Sequence, residues 1–267
     1  MDARIRYISM VSENPEPLAA WYKQYFAMTE LGRGDDGEIA LTDGFYNLSI
    51  VKPHGEDTAL GLSHIGLEID DIHEVEGRLE DFAPHANLRG EPGGLFHGEY
   101  RVTDPNGHSV SLSTCHFNMP AEANRHFPNI RHVAFSTQKN QEILDFYMNV
   151  FGFREPTTSK RIHGVNDTRF SADGSTAMAI LRYPVDQDAQ EPAGGWTERH
   201  FKAGLNHIGF LVPDIQNFMA GLPKGSISDR PNTRPMTEFR VLDPETNEID
   251  ISQHKGYEVD VDVWEHA

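Results

Sequence analysis

The stretch Asn129 to Pro156, NIRHVAFSTQKNQEILDFYMNVFGFREP, repeats the pattern of Arg4 to Leu31, RIRYISMVSENPEPLAAWYKQYFAMTEL, at an offset of 125 residues. In both stretches, large apolar residues recur at i, i+3, i+4, i+7 and i+8, which is the spacing of one buried helix face. The paired positions are Leu18 with Ile143, Trp21 with Phe146, Tyr22 with Tyr147, Tyr25 with Val150, and Phe26 with Phe151. The halves are therefore predicted to share a strand followed by an amphipathic helix.

Two further blocks recur in the same order. LSHIGL at Leu62–Leu67 matches LNHIGF at Leu205–Phe210, and YRVTDPN at Tyr100–Asn106 matches FRVLDPE at Phe239–Glu245. The Asp-Pro pairs in the last block are turn sequences between strands. Each half is thus predicted to hold two smaller units, each with a strand, a helix and roughly three further strands.

Composition limits the classes of partner. The chain has 267 residues, with 23 Lys+Arg against 41 Asp+Glu and a net charge of -18, which argues against nucleic acid or an anionic membrane as a partner. The single Cys115 excludes an intramolecular disulfide, and no apolar run is long enough to span a bilayer. We expect a soluble, cytoplasmic protein with domains at 1–115 and 128–267, joined by a polar linker at 116–127.

The second half carries a set of potential metal ligands. His132 lies in NIRHVAF, His207 in LNHIGF and Asp250 in NEIDIS, each in a predicted strand. Strand alternation places Glu248, Asp250 and Ser252 on one face. Two imidazoles and one carboxylate form a facial triad that leaves coordination positions open, which suits Fe(II) and also Mn(II) or Zn(II).

The repeat is what links these residues to one another, since a lone His in a strand is more often structural and an Asp after a turn is usually solvated. The corresponding positions of the first half are Tyr7 for His132, His64 for His207 and Ser111 for Asp250. One half is therefore predicted to have kept a ligand set that the other half lost.

On these residues the chain resembles the vicinal oxygen chelate superfamily, which includes glyoxalases, extradiol ring-cleaving dioxygenases and antibiotic-binding proteins. The resemblance implies an α+β fold of four βαβββ units, paired into two curved mixed-sheet half-barrel domains. It also implies a metal in the second domain only, held by His132, His207 and Asp250. Because family members usually have Glu as the third ligand, it stays open whether Glu248 or a water completes the site.

Two features depart from the extradiol pattern. The segment Ser175–Ile180 has no His where that family has its acid/base histidine, and Arg240 replaces a family tyrosine. If the substrate is a catechol, His163 or His200 must transfer the proton, although a solvated surface role is the default for both. Arg240 is predicted either to clamp a substrate carboxylate or to form a structural ion pair with Glu238.

Three functions follow from this site. The first is an Fe(II)- or Mn(II)-dependent dioxygenase that chelates a small substrate through adjacent oxygens and cleaves a ring with O2. The second is a non-oxidative isomerase, lyase or epimerase of the glyoxalase type, in which the metal acts as a Lewis acid. The third is a non-catalytic small-molecule-binding protein. We expect a homo-oligomer and rank the dioxygenase first.

Overall fold

The computed structural model describes residues 3–55, 58–91, 97–119, 125–156, 168–182, 202–228 and 239–253. The first half contains β1 (Arg4–Val11), α1 (Pro15–Tyr25), β2 (Thr29–Arg33), β3 (Ile39–Thr42), β4 (Asn47–Val51), β5 (Gly61–Glu68), α2 (Ile72–Phe82), β6 (Arg89–Gly90), β7 (Tyr100–Thr103) and β8 (Ser109–Ser113). These strands form one eight-stranded mixed sheet in the order β2-β3-β4-β1-β5-β8-β7-β6.

The second half repeats this arrangement. Its elements are β9 (Asn129–Thr137), α3 (Asn140–Phe151), β10 (Arg169–Ala172), β11 (Ala177–Arg182), β12 (Gly204–Leu211), α4 (Ile215–Gly221), β13 (Ile227–Ser228), β14 (Phe239–Leu242) and β15 (Glu248–Ser252). The strands form a seven-stranded sheet in the order β10-β11-β9-β12-β15-β14-β13. The predicted fold of two curved half-barrel sheets is confirmed. No helix within the described ranges is long and apolar enough to cross a membrane.

The apolar helix stripes explain the core. Tyr22 on α1 and its counterpart Tyr147 on α3 are fully buried, as the repeated spacing predicts. Phe26 also reaches the second half, where its ring centroid lies 4.3 Å from that of Phe210. The stripes therefore pack each helix on its own sheet and join the two halves.

One aspartate stands in the turn before the last strand of each unit. These residues are Asp43, Asp104, Asp173 and Asp243, and the Oδ1 atom of each accepts two backbone N–H groups of its own turn. Such hydrogen bonds stabilise a tight turn, because its backbone N–H groups have no partner in a neighbouring strand. The turn is thus built in the same way four times.

In two of these aspartates, the second carboxylate oxygen connects the two halves of the chain. Asp43 Oδ2 accepts the backbone N–H of Ile130 at 2.8 Å, and Asp173 Oδ2 accepts that of Ile5 at 2.7 Å. Burial raises the pKa of Asp173 above its usual value, and three backbone N–H groups oppose the rise. Each aspartate thus binds a backbone N–H in the first strand of the other half. The two hydrogen bonds therefore hold β1 and β9 in equivalent ways.

Candidate metal centre

The register of three adjacent strands brings the predicted ligands together. Gly209 on β12 lies opposite His132 on β9 and, on its other side, opposite Asp250 on β15. Neighbouring strands are about 4.8 Å apart, and Gly209 places no side chain between the two residues that flank it. His207 lies two residues before Gly209 and therefore faces the same side of the sheet.

The three side chains are buried close to one another. His207 Nε2 lies 3.1 Å from Asp250 Oδ2, and the ring centroids of His132 and His207 are 5.3 Å apart. His132 is 6% exposed, His207 2% and Asp250 1%. Across the described part of the chain, no group of three or more His, Cys, Asp and Glu side chains is spaced to hold a metal ion. The fold thus brings His207 and Asp250 into contact and places the His132 ring beside them.

A backbone carbonyl sets the orientation of His132. Its Nδ1 lies 3.0 Å from the carbonyl oxygen of Ala177, the residue that pairs with His132 in the neighbouring strand β11. Since a carbonyl can only accept, Nδ1 carries the proton and Nε2 of the neutral ring keeps its lone pair. Metal-binding histidines are commonly held in this way by a second group behind the ring.

The ring of His207 is oriented in the same way, but by a side chain instead of a backbone carbonyl. Its Nδ1 lies 2.7 Å from Oδ1 of Asn206. When Oδ1 accepts the proton of Nδ1, the Nε2 lone pair of a neutral ring faces Asp250 Oδ2, and the two atoms repel unless positive charge lies between them. Two ligands about 2.1 Å from one ion and at right angles are about 3.0 Å apart, close to this contact. The His207–Asp250 pair therefore has the separation of two neighbouring ligands of one divalent cation, and two imidazoles with a carboxylate are donors that such a cation takes.

Arg240 holds the carboxylate from the other side. It lies opposite Asp250 in the β14–β15 pair, donates from Nε to Asp250 Oδ1 at 2.8 Å, and donates from Nη1 to Glu248 Oε2 at 2.6 Å. Asp250 Oδ1 is thereby engaged, while Oδ2 faces His207. The predicted pairing with Glu238 concerns a residue outside the described ranges.

Two predicted site residues cannot be placed. His163 and His200 lie outside the described residues, so their role in proton transfer stays a prediction. The segment Ser175–Ile180 forms a turn and the start of β11, where Ala177 and Ala179 pair with residues of β9. The residues of this strand that pair with His132 and Ala134 are therefore alanines.

Sequence reasoning missed the groups behind the two imidazoles. The Ala177 carbonyl leaves no signal in a sequence, because it depends on strand register alone. Asn206 does leave one, since Ser63 stands before His64 just as Asn206 stands before His207, and Ser63 Oγ contacts His64 Nδ1 at 3.1 Å. A polar residue before the repeated His was the available clue.

The corresponding position of the first half is filled by aromatic rings. Tyr7 replaces His132, and Phe117 stacks on it with ring centroids 5.1 Å apart and planes 15° apart. A Cβ on Gly66, the counterpart of Gly209, would lie 2.5 Å from the Phe117 ring. Burial lowers the pKa of His64 to about 3, with Arg101 adding to the effect. In the first half, packed aromatic rings therefore occupy the position where the second half has potential metal ligands.

Comparisons with known proteins point to one superfamily. A family model described as Glyoxalase/Bleomycin resistance protein/Dioxygenase superfamily matches residues 129–251. A comparison with curated protein sequences finds no match. Residues 129–251 include all three predicted metal ligands.

Solved structures extend the likeness to nearly the whole chain. The 2,3-dioxygenase LapB from Pseudomonas sp. KL28 matches with a TM-score of 0.66 and 18% identity, covering 93% of this chain and 91% of that one. The Mn(II)-bound glyoxalase from Novosphingobium aromaticivorans matches with a TM-score of 0.67 and 16% identity, covering 93% and 81%.

An extradiol ring-cleaving dioxygenase from B. fuscum has a TM-score of 0.64 and 14% identity, with 96% of this chain and 74% of that one covered. At these identities the likeness establishes the fold. The resemblance inferred from the sequence is thus confirmed: residues 129–251 match the model of the glyoxalase, bleomycin resistance protein and dioxygenase superfamily, and the chain has the two-sheet fold of these solved structures.

Proposed function

We propose that the chain is a metal-dependent enzyme that binds a small substrate through two adjacent oxygens, with His132, His207 and Asp250 as the ligands of one divalent cation. The observation that carries the proposal is the 3.1 Å approach of His207 Nε2 to Asp250 Oδ2 beside the oriented ring of His132. Fe(II) is the favoured ion, with Mn(II) or Zn(II) as alternatives.

The residues around the cation determine what it can do. A bound divalent ion with open positions lowers the pKa of a coordinated substrate hydroxyl and orients its oxygens. Arg240 keeps Asp250 Oδ1 engaged, so that Asp250 acts through Oδ2 alone. The same guanidinium also binds Glu248, so it does not distinguish the two carboxylates. Asp250 is favoured as the third ligand because its Oδ2 lies 3.1 Å from His207 Nε2.

Ring cleavage by O2 is the first reaction class we propose. It is supported by the fold shared with a 2,3-dioxygenase and with an extradiol ring-cleaving dioxygenase over both halves of the chain. Proton transfer is assigned to His163 or His200, because the segment Ser175–Ile180 contains no histidine where one is expected. The substrate is then a small aromatic compound with vicinal hydroxyl groups.

A non-oxidative isomerase, lyase or epimerase is the second candidate. It is favoured by Arg240 in place of the tyrosine and by the fold shared with a Mn(II)-bound glyoxalase. In this reaction the cation would act as a Lewis acid, and Glu248 or a nearby histidine would take the proton. A homo-oligomer in the cytoplasm, without nucleic acid or membrane partners, stays our prediction for the assembly.

The test is elemental analysis of anaerobically purified protein, followed by oxygen-electrode assays with a panel of catechols. Bound iron with oxygen uptake that is lost in His132→Ala supports the dioxygenase. Bound zinc, manganese or nickel without uptake supports the second candidate. Protein that remains metal-free after reconstitution overturns both, and leaves the non-catalytic binding protein.

His64→Ala serves as the matched control. His64 occupies the position of His207 in the first half. Its replacement should leave the metal content unchanged, which separates loss of a ligand from general damage to a duplicated scaffold.

A further inference from the structure

We propose that Asn206 is a positioning residue that keeps the proton of His207 on Nδ1, so that Nε2 is the atom available to a cation. The inference rests on the proposed metal function. Asn206 is 2% exposed, and its Oδ1 lies 2.7 Å from His207 Nδ1.

This contact depends on an irregularity in the sheet. Side chains of successive residues in a regular strand point to opposite faces, so a residue cannot support the ring of its immediate neighbour. In the β9–β12 pair, Leu205 lies opposite Phe135 and His207 opposite Ala134, which leaves Asn206 as an extra residue in a bulge. A bulge redirects a side chain, and bulges are common beside functional sites.

The same bulge occurs at the corresponding place in the first half. In the β1–β5 pair, His64 lies opposite Ser9 and Leu62 opposite Met10, which leaves Ser63 as the extra residue. Ser63 contacts His64 Nδ1 at 3.1 Å. Two occurrences of one bulge, each with a polar side chain on the Nδ1 of the next histidine, indicate that the scaffold itself orients these rings.

The two halves differ in how strictly the bulge residue determines which ring nitrogen of the histidine carries the proton. A serine hydroxyl both donates and accepts, and Ser63 is exposed, so it is compatible with either protonated nitrogen. The buried amide of Asn206 presents its oxygen to His207. The reverse amide orientation would donate to Nδ1, leave the proton on Nε2, and turn the contact with Asp250 into a hydrogen bond that excludes a cation.

The experiment identifies the protonated nitrogen of His207 by long-range nitrogen–proton NMR on the full-length metal-free protein, at mildly alkaline pH, above the pKa of an ordinary imidazole. Wild-type protein is expected to carry the proton on Nδ1, and Asn206→Ala to show a mixture of both forms. Asn206→Asp replaces the amide oxygen by a carboxylate oxygen, which also accepts the Nδ1 proton, and should restore the Nδ1 form.

Metal affinity provides the second readout, by titration calorimetry with Mn(II) or Zn(II). Asn206→Ala should weaken binding about 10- to 100-fold, as for other groups that orient a ligand, with recovery in Asn206→Asp. Ser63→Ala, which removes the matching contact in the first half, should leave the affinity unchanged.

Two results would overturn the inference: a wild-type His207 protonated at Nε2, or an Asn206→Ala protein with wild-type protonation and affinity. If wild-type protein binds no metal, the proposed function fails. The NMR measurement would still decide the role of Asn206 in that case, so the two failures are distinguishable.

Discussion

The two halves use one scaffold position in opposite ways. Around Gly209 the second half places two imidazoles and a carboxylate, whereas around Gly66 the first half places Tyr7 and Phe117 in stacked contact. Both positions are buried at the middle of a curved sheet. The comparison teaches that this position needs an occupant, which can be a set of polar ligands or a packed aromatic pair.

The aromatic occupant requires an unusual backbone. Phe117 lies in a turn where three successive non-glycine residues have positive φ, at 54°, 53° and 56° for His116, Phe117 and Asn118. Each left-handed residue costs about 1–2 kcal/mol, while burying one Phe side chain contributes about 1.5–3 kcal/mol. Ser113 Oγ adds two hydrogen bonds by accepting the N–H groups of Cys115 and Phe117. Packing and these bonds together must outweigh the strain.

Asp250→Ser, which installs the residue of the first half, should have the largest effect. Without the carboxylate, two imidazoles remain to hold the cation, and we expect its affinity to fall by more than about 100-fold, beyond the loss typical of supporting groups. Calorimetric titration with Mn(II) measures this. Unchanged affinity would show that Asp250 is not a ligand and would remove the difference between the halves.

Phe117→Ala should have the next largest effect, on stability alone. Removing a fully buried Phe side chain typically lowers the free energy of unfolding by about 3–5 kcal/mol. Urea unfolding measures the loss, and Phe127→Ala, at a residue that is 52% exposed, is the control. Equal stability of the two variants would mean that the aromatic pair does not support the first half.

The helix tyrosines provide a smaller contrast between the halves. Tyr22 Oη donates to Asp243 Oδ2 at 3.1 Å, whereas the Tyr147 hydroxyl has no hydrogen-bond partner among the described residues. Tyr22→Phe should therefore lower the free energy of unfolding by about 1.5–3 kcal/mol, while Tyr147→Phe should change it little. Chemical denaturation of both variants tests this, and equal losses would contradict it.

The smallest expected effect concerns the pH dependence of the inter-half bonds. Burial raises the folded-state pKa of Asp173 above its value in the unfolded chain, so the folded state binds this proton more tightly. The free energy of unfolding of wild type should therefore rise relative to Asp173→Asn as the pH falls through the raised pKa toward the unfolded value. Unfolding curves across this range measure the difference, and an opposite trend would show that the N–H bonds dominate over burial.

The fold could be predicted because the information is local and repeated. The spacing of Leu18, Trp21 and Tyr22 was enough to predict α1, and its recurrence 125 residues later predicted α3. The roles of linker residues could not be predicted in this way. Phe117 falls within the predicted polar linker 116–127, yet it is fully buried against Tyr7.

The three candidate ligands were likewise predicted from the sequence, and their role as ligands stays a prediction, whereas the contacts around them were not predicted. His132, His207 and Asp250 were identified from the repeat, but nothing in the chain order indicates that Arg240 bonds both Asp250 and Glu248. That contact follows from the pairing of β14 with β15, and strand pairing is a non-local event.

By itself, the sequence determined the duplicated units, their helices and the half in which potential ligands survive, because hydrophobic spacing and residue identity act over a few neighbours. Only the tertiary structure decided that Gly209 separates His132 from Asp250, and that a bulge turns Asn206 toward His207. Register and bulges depend on how whole strands pair, since a shift of one residue moves every side chain to the other face.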